Sequence, residues 1–232
     1  MSIPADEAND PRFSPQEMVD ESVGSVHNIH DPTIAKAYLL LLGLSLWGCS
    51  DGPDRVHPPS IDANSAGLAA VSQYDANGDG KIGGEELKDA PSLRAAIGNL
   101  DTDGDGAVSA AEVTARVQAW QESRVGLTPA RCQITFQGQP LAGATVTFEP
   151  EEFLGDAIKA CVGKTNKQGS TRLSIPNTKE GLPGGAPGLY RVKITSAHTK
   201  IPAKYNTETT LGAELANDSA TVERGLVLRL KK

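Results

Sequence analysis

Oxygen-bearing side chains recur at alternate positions in two twelve-residue segments, residues 75–86 and 101–112. Short carboxylates spaced in this way can all point inward from a tight loop, and a hard divalent cation takes six to eight oxygens at about 2.3–2.6 Å. The chemistry indicated is metal coordination through oxygen. The residues at positions 1, 3, 5 and 12 are Asp75, Asn77, Asp79 and Glu86 in the first segment and Asp101, Asp103, Asp105 and Glu112 in the second.

The remaining positions fit the same chemistry. Glycine at position 6 permits the positive φ of a sharp turn, position 7 offers a carbonyl oxygen, and position 9 acts through water. Both segments resemble EF-hand loops, and the resemblance implies two Ca²⁺ sites. The second segment has four carboxylates, against three in the first, and is expected to bind calcium more tightly. Dockerin loops are the alternative to EF-hand loops, but they usually end in Asp, whereas both segments here end in Glu. The residues at positions 7 and 9 are Lys81 and Gly83 in the first segment and Ala107 and Ser109 in the second.

Helices must hold these loops, and apolar residues at helical spacing flank both. Ile82 and Val108, at loop position 8, are expected to pair across a short strand, and Pro91 to begin a helix. Only fourteen residues separate Glu86 from Asp101, so the helix leaving the first loop must be short, about residues 85–89. The flanking apolar residues are Leu68, Val71, Tyr74, Leu87, Leu93, Ile97, Leu100, Val113, Val117 and Trp120.

The compact spacing and the composition argue against a calcium sensor. A sensor opens a methionine-rich groove, but the only methionines are Met1 and Met18. We therefore expect calcium to be mainly structural.

From residue 131 the apolar period becomes two, as in half-buried strands. Turn residues at 137–140 and a hairpin signal at 166–169 punctuate the pattern. Seven short strands in about 100 residues predict a β-sandwich. The strand segments are 132–136, 144–148, 158–164, 171–175, 189–196, 211–215 and 226–230.

Four ordered segments carry a family resemblance over nearly all of residues 131–232. Residues 138–150, 163–176, 187–196 and 201–215 look like the carboxypeptidase regulatory-like, transthyretin-like domains of planctomycete lipoproteins. The resemblance implies an Ig-like sandwich without catalytic machinery of its own, in a bacterial envelope. Cys132 and Cys161 could form a disulfide or remain two buried free thiols.

The N-terminal part has the features of an export signal. Residues 37–48 are uncharged and mostly apolar, too short to span a membrane but suited to the core of a signal peptide. They end in a lipobox-like sequence before Cys49, the predicted lipidation site. A buried intracellular helix is the alternative. Residues 1–33 carry seven acids against Arg12 and are either a disordered tail or a misassigned start.

Charge is unevenly distributed. Residues 65–121 carry a net charge of −5 and residues 122–232 a net charge of +5. The two parts are therefore expected to attract each other without calcium, and less strongly once calcium is bound.

Glu149, Glu151 and Glu152 are interpreted as a solvated acidic loop. Metalloprotease, hydrolase, P-loop and Rossmann motifs are absent, which predicts a protein that is not an enzyme, and no aromatic interleaving supports nucleic-acid binding.

These features predict a multidomain chain, α then β. Six segments are expected: an N-terminal segment (1–33), a signal segment (34–48), a linker (49–64), an all-α EF-hand pair (65–121), a linker (122–130) and an Ig-like or transthyretin-like β-sandwich (131–232). The expected function is a calcium-binding, non-enzymatic, lipid-anchored envelope protein with an adhesion or scaffold module and a protein or polysaccharide partner. The alternatives are an accessory subunit of an envelope enzyme or transporter and, more weakly, a carbohydrate-binding module.

Overall fold

Asp62 starts the helical region by capping the first helix, since its side chain accepts a hydrogen bond from Ser65 N at 3.0 Å. The computed structural model describes residues 56–176 and 182–232. The predictions for residues 1–33, the segment 34–48 and Cys49 lie outside the described residues. The helices are α1 (Ala63–Tyr74), α2 (Glu86–Asp89), α3 (Pro91–Ala95), α4 (Ile97–Leu100), α5 (Ala110–Glu122) and α6 (Ala220–Arg224), with 3₁₀ turns at Glu152–Ala157 and Ala203–Tyr205.

Helix α1 packs on α5 through small residues. Its buried positions are Ala66, Gly67 and Ala70, and a Cβ added to Gly67 would lie 2.3 Å from the carbonyl oxygen of Ala110. The backbones therefore touch, which a large side chain would prevent. The prediction that Leu68 belongs to the packed face was wrong, because the close approach selects small residues and leaves Leu68 68% exposed.

Three other local predictions for the helical region are confirmed. Ile82 pairs with Val108 between the short strands β1 (Lys81–Gly83) and β2 (Ala107–Ser109). Helix α2 is a single turn ending at Asp89, and Pro91 occupies the first turn of α3. The helix that precedes the second loop is broken at Ala96 into α3 and α4, and the apolar spacing did not predict this break.

A sheet-rich region follows the helices. In residues 131–176 and 182–232, β3 pairs in parallel with β10 and antiparallel with β4 and β7, while β6, β5, β8 and β9 form an antiparallel sheet in that order. Each predicted strand segment contains a strand, and β4 is additional. The strands are β1 (Lys81–Gly83), β2 (Ala107–Ser109), β3 (Arg131–Phe136), β4 (Gln139–Pro140), β5 (Thr145–Pro150), β6 (Cys161–Lys164), β7 (Ser170–Arg172), β8 (Gly188–Thr195), β9 (Gly212–Leu215) and β10 (Leu226–Leu230).

Turn chemistry explains one predicted connection and corrects another. Gln137 and Gly138 both have positive φ, 53° and 81°, as a two-residue hairpin between β3 and β4 requires. Residues 166–169 also turn, but the strands they join pair in different sheets. The hairpin prediction there was wrong, since only the Val162–Ser174 bridge links the two arms beyond the turn.

The helical and sheet regions share their interior. Buried apolar side chains from both belong to one cluster, and the described residues fall in one compact unit. Within the predicted linker 122–130, Thr128 exchanges two backbone hydrogen bonds with Gly185, at 2.8 and 3.0 Å. None of the helices in the described ranges is long and apolar enough to cross a bilayer.

Candidate metal centre

The first residue of each loop organises the turn that follows it. Asp75 accepts hydrogen bonds from the backbone amides of Gly78 and Gly80 at 2.6 and 2.8 Å. Asp101 accepts the equivalent bonds from Gly104 and Gly106 at 2.7 and 2.9 Å. These contacts fix the carboxylates, and the positive φ of Gly80 (86°) and Gly106 (83°) lets the chain turn around them.

The last residue of each loop reaches back over it. Glu86 accepts from the amides of Ala76 and Gly83, at 2.9 and 3.0 Å. Glu112 accepts from Thr102 and Ser109, both at 2.8 Å. Each glutamate thereby joins the two ends of its loop and carries its oxygens toward the aspartates.

Only the second loop adds side-chain support to this closure. Ser109 Oγ donates to Glu112 Oε2 at 2.9 Å and caps helix α5, forming a capping box. Gly83 occupies the same position in the first loop and has no hydroxyl to offer. Burial raises the pKa of Glu112, but the amides of Ser109 and Thr102 outweigh it, so the net pKa is lowered.

The oxygens of the second loop fit a calcium ion. One carboxylate oxygen from each of Asp101, Asp103 and Asp105 lies within 4.8 Å of the other two. Two ligands on opposite sides of a calcium ion, each at about 2.3–2.6 Å, are separated by a similar distance. In the first loop Asn77 replaces one carboxylate with a neutral amide oxygen.

Lys81 connects the two loops electrostatically. Its ammonium contacts Asp105 and lies 3.6 Å from Asp103 Oδ2. The contact with Asp105 raises the pKa of Lys81 and lowers that of Asp105. Lys81 was predicted only as a carbonyl ligand at position 7; the contact of its side chain with the other loop was missed.

A buried carboxylate of the sheet region holds the helices on both sides of the second loop. Glu214 on β9 is 3% exposed. It accepts from Arg116 Nε at 2.5 Å and Trp120 Nε1 at 3.1 Å, both on α5, and from Asn99 Nδ2 at 2.8 Å, on α4. Arg116 also makes a bidentate pair with Asp218, at 2.7 and 2.8 Å. We call these five residues the Glu214 cluster.

The charges in the cluster support one another. Burial alone lowers the pKa of Arg116, but Asp218 and Glu214 more than compensate, so its pKa is raised. Arg116 in turn lowers the pKa of Asp218. The cluster was missed because Glu214 and Asp218 are about 100 positions from Arg116, and periodicity does not reveal which distant carboxylates an arginine meets.

A second buried carboxylate meets the helix that enters the first loop. Tyr74, the residue before Asp75, donates its hydroxyl to Glu151 Oε2 at 2.7 Å. Glu151 is 1% exposed, and burial raises its pKa. The expectation that this acidic segment is solvated was wrong for Glu151, because the residue faces α1 rather than water; Glu152 is exposed as expected.

The two described cysteines lie on strands of the sheet region. Cys132 on β3 and Cys161 on β6 are buried and free. Burial raises the pKa of each to about 12, which keeps both as unreactive thiols.

Comparison with known proteins identifies the loops. The family described as EF hand matches residues 72–89 and 93–115, which span both loops and their flanks. No curated protein and no solved structure matches the chain. The family match and the aspartate cluster support calcium as the bound ion.

Proposed function

We propose that two calcium ions, one in each loop, act as structural cofactors that hold the helical region against the sheet region. The contact set of Glu214 carries this inference. Asn99 lies two residues before the first ligand of the second loop, and Arg116 lies four residues after its last. One carboxylate therefore fixes the helices on both sides of the loop.

This arrangement opposes a sensor-like opening. In calcium sensors the angle between the two helices of a hand changes by tens of degrees. Such a change would move Arg116 and Asn99 apart and break their bonds to Glu214. Removing one partner of a buried ion pair costs about 3–5 kcal/mol, so an opening that breaks these bonds is opposed by a penalty of about that size.

Three calcium titrations test the sites. Calorimetry on the full chain is expected to give two bound ions, and Glu86→Gln and Glu112→Gln each to abolish one. The Glu86→Gln variant retains the second loop, so it is expected to keep the tighter site. Tighter residual binding in Glu112→Gln would overturn the ranking, and one ion or none in the unmodified chain would overturn the two-site assignment.

A dye that binds apolar surface distinguishes the structural role from a sensor. We expect the fluorescence of anilinonaphthalene sulfonate to stay unchanged or to fall when calcium is added, because the packing tightens. A rise at saturating calcium would indicate an opening groove and a sensor.

We further propose that the protein is a non-enzymatic scaffold or adhesion component of a bacterial envelope. The sandwich interpretation and the resemblance of residues 131–232 to carboxypeptidase regulatory-like domains support this role. An accessory subunit of an envelope enzyme is the alternative. A pull-down from envelope membranes with and without chelator separates them, since a stoichiometric enzyme partner would favour the accessory role.

The proposed location depends on Cys49 and the apolar residues 37–48 before it. In cells, labelling with a fatty-acid analogue is expected to mark the protein and to be lost in Cys49→Ala. Labelling that persists in this variant, or no labelling of the unmodified chain, would remove the lipid anchor from the account.

A further inference from the structure

An open groove of about 1190 Å³ lies on the sheet region, away from the calcium loops. Residues of β3, β6, β7 and β10 line it. Its volume exceeds the roughly 300–1,000 Å³ of a small-molecule pocket, so an extended ligand fits it better than a compact one.

The charge of this basic groove is strongly one-sided. Arg131, Lys164, Arg172 and Arg224 line it, and Glu223 is the one acid among the lining residues. All four cations are exposed. In residues 56–176 and 182–232 none of the four forms an ion pair.

Strand register concentrates three of these charges. Arg131 and Arg172 are direct partners across the antiparallel pair β3–β7. The residue after Arg224 lies beside Arg131, since a Cβ on Gly225 would be 3.5 Å from the Arg131 carbonyl oxygen. Like charges directly opposite each other destabilise a sheet, and an anion bound between them would relieve the repulsion.

We propose that the basic groove binds an acidic polysaccharide through its carboxylate or sulfate groups. Guanidinium groups bind such planar or multi-oxygen anions through two hydrogen bonds each. Hydroxyl and amide side chains in the same groove, Asn166 and Ser174, can serve the sugar hydroxyls between the charges.

The shape and the lining favour this occupant over other polyanions. A bilayer surface is too flat to follow a groove lined by residues of four strands. Single-stranded nucleic acids are usually held by aromatic side chains on which bases stack, and the lining residues include no Phe, Tyr, Trp or His. Recognition here relies on charge, unlike the aromatic stacking expected of an ordinary carbohydrate-binding module.

Binding to defined polymers tests the groove. Calorimetry at saturating calcium and low salt compares hyaluronate and dextran sulfate with neutral dextran. We expect binding to at least one acidic polymer and none to neutral dextran. The double variant Arg131→Gln/Arg172→Gln is expected to lose at least tenfold in affinity while keeping its fold, because it removes a repulsion.

A charge-matched control isolates the groove. Arg229→Gln/Lys231→Gln removes the same charge at exposed residues outside the groove, and its affinity is expected to stay within about twofold. Failure of both acidic polymers to bind, or an equal loss in both variants, would overturn the proposal. Tighter binding of single-stranded DNA or of phosphatidylserine vesicles would assign the groove to another class of ligand. Calcium stoichiometry is measured in a separate experiment, so the outcome for the groove does not decide the structural role of calcium in the loops.

Discussion

Arg116 on helix α5 donates from Nε to Oε1 of Glu214 on strand β9 at 2.5 Å, and both side chains are buried. This ion pair crosses between the helical and the sheet regions. The charges of the pair are opposite in sign to the net charges of their regions, because the base lies in the acidic helical region and the acid in the basic sheet region. This ion pair is therefore not an example of the attraction between the net charges of the two regions that the composition predicts.

Removing the base of this pair leaves a buried carboxylate without its cation. We expect Arg116→Met to lower the free energy of unfolding at neutral pH by about 3–5 kcal/mol, measured by urea denaturation. Lys193→Met is the matched control, because its pair with Glu149 is partly exposed, at 33% and 42%, and should contribute about 0–1 kcal/mol. A loss below 1 kcal/mol in Arg116→Met would contradict a stabilising pair.

The regions also meet through backbone contact at Gly212. A Cβ on this residue of β9 would lie 2.0 Å from the Pro91 carbonyl oxygen. Gly212→Ala is expected to cost about 1–3 kcal/mol in unfolding free energy, as overpacking usually does. Gly98→Ala is the control, since nothing lies within 4 Å of its added Cβ; it should be neutral or slightly stabilising. Equal effects of the two substitutions would contradict the close approach.

Glu151 gives the stability a specific pH dependence. Because burial raises its pKa above the ordinary value of 4.5, its carboxyl is neutral in the folded and unfolded states at low pH, and stability is lost as pH rises through the folded pKa. Glu151→Gln keeps an acceptor for Tyr74 without the charge. We expect this variant to exceed the unmodified chain in stability at pH 7 and to match it below about pH 4.

Urea unfolding across this pH range measures the difference. Glu152→Gln is the control, because it removes a carboxylate from an exposed position of the same segment and should change the free energy of unfolding little. Stability of the unmodified chain that increases relative to Glu151→Gln as pH rises would reverse the assigned sign.

Lys81 competes with calcium at the second loop. Its ammonium contacts Asp105 and lies near Asp103, so calcium must overcome a cation already associated with two of its ligands. Lys81→Gln is expected to raise the calcium affinity of this loop about two- to fivefold at low salt, and less at high salt. Lys88→Gln should leave it unchanged, since Lys88 pairs with Glu85, which is not a calcium ligand. Equal or reduced affinity in Lys81→Gln would exclude the competition.

Local chemistry made much of the helical region predictable. Loop positions, the Ile82–Val108 pair and the start of α3 at Pro91 all follow from rules acting within a few residues. The prediction that Leu68 lies on the packed face failed, because an apolar pattern does not show when two helices approach closely enough to require glycine.

Contacts between residues distant in the sequence could not be predicted. The period-two apolar pattern located the strands, but it did not show that β6 and β7 would join different sheets. The burial of Glu151 and Glu214 depends on partners 77 and about 100 positions away. Acidic residues are ordinarily solvated, so only the assembled fold identifies these two as buried contacts.

Scanning calorimetry of the full chain with calcium and with chelator tests the structural role of calcium most directly. We predict one transition involving both regions, whose midpoint rises with calcium by mass action. The near-ultraviolet circular dichroism of the tryptophan and tyrosine side chains should change in the same single transition, and Glu86→Gln/Glu112→Gln should abolish the shift caused by calcium. Two separate transitions, with only the helical one responding to calcium, would contradict the account.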